Sequence, residues 1–275
     1  MFVQRYFDIF SYPLLPVEQE ILRLKEERGE AEAMDVSLWT VREERQTIAY
    51  RKWRKALRVG RWLAMMPYVQ MVAVCNNLAY DNATDESDID LFIVTTSKRV
   101  WAARFFVSGF LALLRLRPTR RTTRDKICTS FFVSTDHLNI SNLQLAASSQ
   151  QLGAPADPYL LFWTATLYPI YDRGGVYERF WNANAWIKEY LPNAVPVIPH
   201  PWRTVRPALS PRFPESIFGA WFERFVKRIQ MRAFPKNIRE LMNKDTRVVV
   251  TDKVLKFHTN DRREEYRYHF YAESH

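Results

Sequence analysis

Asp88 and Asp90 stand one residue apart in Ser87-Asp88-Ile89-Asp90-Leu91-Phe92-Ile93-Val94, at the head of an apolar run that reads as a buried strand. Side chains alternate across a strand, so the two carboxylates project from one face, roughly 6–7 Å apart along it. Like charges so placed repel, and burying them is costly without a cation between them. A hard divalent ion such as Mg²⁺, which takes carboxylate oxygens and substrate phosphates together, would relieve the repulsion. The competing reading is a loop-to-strand boundary with both carboxylates in water. The apolar run Leu91 to Val94 marks an interior strand and favours the metal.

The other residues able to do chemistry carry weaker patterns. Cys75 and Cys128 lie in apolar, strand-like runs. Core packing is expected of both in a reducing compartment, rather than a disulfide or a metal site. His137, His200, His258, His269 and His275 are scattered without ligand spacing, so none is assigned a metal. A formal net charge of +10 favours an anionic partner: nucleic acid, a nucleotide or a membrane surface. The amino-terminal residues lack a signal-peptide pattern, and the apolar run Phe105 to Leu114 is too short to span a bilayer. A cytoplasmic, soluble protein is expected.

These residues need elements to hold them. Pro16 to Glu30 reads as a helix ending near Gly29, and Val36 to Val41 as a short strand. Glu43 to Met65 reads as a long basic helix with Trp53, Ala56, Leu57, Trp62 and Leu63 on its apolar side. Its charges, Lys52 among them, read as a solvated face. Val69 to Cys75 is a strand, Asn76 to Ser87 a turn-rich link with room for one helical turn, and Asp88 to Thr95 a second strand. Lys98 to Leu116 is an apolar helix closed by Pro118. A basic loop, Arg115 to Lys126, leads to a third strand, Ile127 to Val133. From Asn142 the pattern is mostly helical and rich in Trp and Tyr. Pro192 to Pro214 is an extended connector, Ile217 to Asn243 a basic helix, and a polar tail starts at Thr251. The fold class expected is α+β, a small mixed sheet with packed helices and a mostly helical carboxy-terminal lobe. The divisions expected are 1–45, 46–150 and 151–275.

The segment Val69 to Thr95 resembles the signature of the DNA polymerase beta-like nucleotidyltransferase superfamily: a strand ending in Gly-Ser, about ten residues of turn, then Asp-x-Asp on a second strand. Here Leu78 to Ser87 separate Asn77 from Asp88, and Ser87-Asp88-Ile89-Asp90-Leu91 closes the motif. The resemblance implies that Asp88 and Asp90 are catalytic and hold Mg²⁺. The ions would bridge the phosphates of a nucleoside triphosphate and activate an acceptor hydroxyl for in-line attack. It further implies that Asn76, Asn77 and Ser87 form the nucleotide cradle.

Three departures stand out. Asn76-Asn77 occupies the Gly-Ser position, where Asn76 tolerates a left-handed backbone and Asn77 offers an amide donor. Tyr80-Asp81 replaces an Arg-Gly pair. A third carboxylate is expected from a neighbouring strand, yet Ile127 to Val133 contains no acid; Asp125 and Asp136 flank it. The amino terminus, Phe7 to Leu14, looks like the start of a truncated winged helix. Arg51 to Ala56 and Leu255 to His258 look like parts of the same group of bacterial proteins. Two functions follow. One is NMP transfer from an NTP to an acceptor. The other is an impaired module of the same fold that binds nucleotide or nucleic acid. A third reading makes the aromatic second half, with Tyr159, Phe162 and Trp163, a partner surface, although packing against the sheet is the commoner fate of such residues.

Overall fold

The computed structural model describes residues 2–25, 27, 36–119, 121–145, 155–207 and 219–272. In chain order its elements are α1 (Phe2–Asp8), α2 (Pro16–Ile21), α3 (Val36–Leu63), β1 (Val69–Val74), β2 (Ile89–Thr95), α4 (Val100–Leu113), β3 (Ile127–Ser134), α5 (Pro158–Thr166) and β4 (Tyr168–Asp172). They continue as α6 (Val176–Ala183), α7 (Ala220–Ala233), α8 (Lys236–Leu241), β5 (Val248–Val250), β6 (Val254–Phe257) and α9 (Arg263–Ala272). The fold is α+β. One mixed sheet runs β4-β1-β2-β3-β6-β5, with β2 and β3 parallel and the other pairs antiparallel.

Period-two alternation splits the sheet's side chains between two apolar layers. Val72, Val74, Leu91, Ile93 and Phe132 pack with Trp53, Ala56 and Leu63 of α3 and Trp101 and Val107 of α4. Met71, Ala73, Phe92, Val94 and Phe131 pack with Leu160 and Trp163 of α5 and Phe180 of α6. Gly60 lets α3 close on β4: a Cβ there would lie 2.7 Å from Ile170 Cδ1. A third cluster joins Tyr6 and Phe7 of α1 to Phe162 of α5 and Phe270 of α9.

Several sequence expectations are corrected. Val36 to Val41 is helix, not strand; α3 starts there. Arg42 is buried against the amino-terminal segment, bonded to Pro13 O at 2.7 Å and to Glu18 at 2.8 Å. The helix from Pro16 stops at Ile21, because the chain beyond it turns to bond elsewhere: Lys25 N donates to Tyr190 O. Gly29 and Glu30 lie outside the described residues. The single helix expected over Ile217 to Asn243 is two, α7 and α8, divided at Phe234-Pro235 because proline cannot continue a helix ladder. The connector from Pro192 is irregular as far as residue 207 apart from one short turn, Pro201–Arg203; 208–218 lie outside the described residues.

The polar tail from Thr251 is the largest correction. It holds β6 and α9, the latter fastened by Arg263, which is 2% exposed and paired with Asp157 and Asp261, each at 2.7 Å. Hydrophilic composition hid a structured segment in which Lys256, Arg263 and the Asp261 side chain are turned inward. No helix among the described residues is long and apolar enough to cross a membrane.

Candidate functional site

Strand β1 ends at Val74, and the chain turns through a short 3-10 segment, Asn76–Tyr80. The turn needs a left-handed residue at its first position, and Asn76 provides it at φ 57°. Its side chain then bridges two elements. Asn76 Nδ2 donates to Asp90 Oδ2 at 2.8 Å, and Tyr159 Oη donates to Asn76 Oδ1 at 2.6 Å. Asn77 is held by Tyr80, whose hydroxyl donates to Asn77 Oδ1 at 2.6 Å. Ser87 Oγ donates to Thr84 O at 2.8 Å and closes the turn leading into Asp88.

That turn rests on a residue read from sequence as a solvated charge. Lys52 of α3 is buried, and its Nζ donates to Ser87 O at 2.7 Å, Asp85 O at 3.2 Å and Asp125 Oδ1 at 2.7 Å. Burial would raise the Asp125 carboxyl, but the Lys52 hydrogen bond and charge outweigh it and hold it low. Lys52 therefore fixes the backbone one residue before Asp88. Asp125, expected in solvent or near the metal, is committed to this pair.

Asn76, Asn77, Ser87, Asp88 and Asp90 all line one pocket of about 170 Å³. Its walls include Tyr6 of α1, Tyr159 and Trp163 of α5, and Tyr266 of α9. So residues of the aromatic second half line the pocket together with the carboxylates, and both α1 and α9 reach the site. Asp157 explains how: it caps α5 by accepting from Leu160 N at 2.9 Å while holding Arg263 of α9.

The carboxylates sit in an unfavourable field. Burial, then the charge of Asp90, pushes the Asp88 carboxyl up to about 7; its backbone hydrogen bond and Lys52 only partly offset this. Burial also raises Asp90, against the bonds from Asn76 and Cys128. Two carboxyls that resist ionising where they meet are poised for a cation. One ligand atom from each of Asp88, Asp90 and Cys128 lies within 4.8 Å of the others. The oxygens suit a hard ion such as Mg²⁺; the sulfur suits a softer one. Cys128 was expected to be core, and that reading is corrected, for it is only half-buried beside the carboxylates. The signal missed was register: β3 runs parallel to β2 with Cys128 opposite Asp90.

Other expectations fall away from the pocket. Asp81 turns aside to accept from Trp53 Nε1 at 2.7 Å and Arg203 at 2.9 Å. In the basic loop, Arg124 faces Asp85 and Glu86, and Lys126 Nζ donates to Arg115 O at 2.8 Å. Among the described residues the pocket lining contains no Lys or Arg. Asp136 bonds to Ser134 at the far end of β3. Comparison with protein-family models, with curated proteins and with solved structures finds no match to the chain.

Proposed function

We propose that the chain is a nucleotidyltransferase of the DNA polymerase beta-like type that depends on a divalent ion, Mg²⁺ where the two carboxylates alone select it, and moves an NMP group from a nucleoside triphosphate to an acceptor. The observation that carries this reading is the convergence, in one pocket, of two neighbouring carboxylates with the turn that precedes them by the motif's spacing. Asp88 and Asp90 would hold the ion, and their raised affinity for protons reports the same unmet need for positive charge. A bound ion would supply charge neutralisation for the phosphates and lower the cost of deprotonating an acceptor hydroxyl. Asn76 orients Asp90, Lys52 fixes the approach to Asp88, and Tyr159 and Trp163 wall that side of the pocket. With no cationic side chain among the described lining residues, the phosphates would depend on the ion for their charge partner.

A second reading keeps the fold as a nucleotide- or nucleic-acid-binding module without turnover. It is favoured by one observation: a thiol, not a carboxylate, stands opposite Asp90 on the neighbouring strand. That substitution removes a base for the acceptor hydroxyl. One assay separates the two, incubation with labelled nucleoside triphosphate, Mg²⁺ and a pool of candidate acceptors. Pyrophosphate release that disappears in Asp88→Ala plus Asp90→Ala supports transfer. Nucleotide binding without pyrophosphate supports the module, and turnover unchanged in the double variant rejects the carboxylate mechanism.

A further inference from the structure

The carboxylate pair has a sulfur beside it, and the way β3 delivers that sulfur is specific. Asp90 pairs with Cys128, and the next pairing is Phe92 with Phe131. Two residues on β2 are thus matched by three on β3. The extra residue is a bulge, a device that re-aims a side chain and recurs beside active sites. Ile127 and Phe132 point into the α3–α4 layer and Phe131 into the α5–α6 layer, while the Cys128 sulfur comes within 4.8 Å of a carboxylate oxygen of both Asp88 and Asp90. Cys75, buried just after β1, also lines the pocket but is not part of the three-ligand group.

We infer that Cys128 is a third metal ligand and that it turns the site's preference from Mg²⁺ toward a thiophilic divalent ion of the Zn²⁺ class. The inference rests on Asp88 and Asp90 being metal ligands, but not on nucleotide transfer. An ion bound at roughly 2.0–2.3 Å to oxygen and sulfur holds its ligands roughly 3–4 Å apart, so the three atoms, within 4.8 Å of one another, would draw closer on binding. Binding releases the thiol proton to solvent, so the thiolate sulfur donates to the ion and no redox change is involved. Thiolate ligation disfavours Mg²⁺, which binds through oxygen, and favours borderline ions. Three protein ligands leave a coordination position open, the arrangement of a reactive rather than a purely structural site. The third-acid position is then altered, not lost.

The test uses the full-length, metal-free chain titrated with Zn²⁺, Mg²⁺ and Cd²⁺, the last because its bond to thiolate gives an ultraviolet charge-transfer band. The expected result is a one-to-one Cd²⁺ band in the unmodified protein and in Cys75→Ser, and no band in Cys128→Ser. By calorimetry, Cys128→Ser should lower Zn²⁺ affinity by at least the roughly 10–100-fold that even an outer-shell loss produces, with little change for Mg²⁺. Cys128→Asp should reverse the order and tighten Mg²⁺. A band absent from the unmodified protein, needing no variant to interpret, overturns the inference. So does a band that survives Cys128→Ser, or an equal loss of Mg²⁺ and Zn²⁺ in that variant. A thiolate band without nucleotide transfer upholds the inference and rejects the transferase. Mg²⁺-dependent transfer without a band does the reverse.

Discussion

Removing one charge from the pocket should stabilise the protein, and the sign depends on pH. The Asp88 carboxyl is raised from 3.8 to about 7 by burial and by Asp90. A carboxyl whose folded value lies above its unfolded one binds protons more tightly when folded. Folding stability therefore falls as pH rises from 3.8, and the loss is complete above about 7. The full difference is worth about 4 kcal/mol at 1.36 kcal/mol per unit. The pocket face of Asp88 sees solvent, which brings the usable figure to about 2 kcal/mol. A chain of this length loses about 0.6 kcal/mol per degree near its midpoint, so Asp88→Asn should melt about 3 °C higher at pH 8. Near pH 4 the two proteins should melt together. Differential scanning calorimetry at both pH values, without metal, reads this directly. A saturating divalent ion at about 100 times its Kd should add about 2.7 kcal/mol to the unmodified protein and much less to the variant. An Asp88→Asn protein that is less stable at pH 8, or a difference that ignores pH, would refute the electrostatic account of the site.

Three further outcomes are expected. Lys52→Met strips three acceptors of their donor and should lower stability by about 2–3 kcal/mol in urea titration, with weaker ion binding as the turn before Asp88 loosens. Asn76→Ala should cost about 1 kcal/mol more than Asn76→Gly by thermal melting, since both lose the bonds to Asp90 and Tyr159 but only glycine accepts φ 57° freely. Arg263→Met leaves Asp157 and Asp261 buried without their cation and should cost about 3–5 kcal/mol. Its earliest sign should be loss of hydrogen-exchange protection in α9.

Local physics made much of the site legible. Asp88, Asp90 and the strands around them follow from alternation and apolar runs, signals that depend on adjacent residues only. The left-handed Asn76 was also foreseeable, because asparagine tolerates that backbone and a strand end requires a turn. Composition failed where polarity served burial. The stretch from Thr251 reads as a solvated tail because Asp261 and Arg263 are charged, but those charges neutralise one another inside the fold. Lys52 misled in the same way: a lysine in a basic helix looks solvated until three acceptors surround it.

By itself, then, the sequence determined the carboxylate pair, its strand and the turn spacing, since each is written in neighbours along the chain. Tertiary structure alone decided what those carboxylates face. Strand register brought Cys128 opposite Asp90, helix α5 set Tyr159 on Asn76, and α3 carried Lys52 beneath Ser87. Each partner is distant in sequence and was chosen by which apolar faces had to meet, a constraint that no local pattern records.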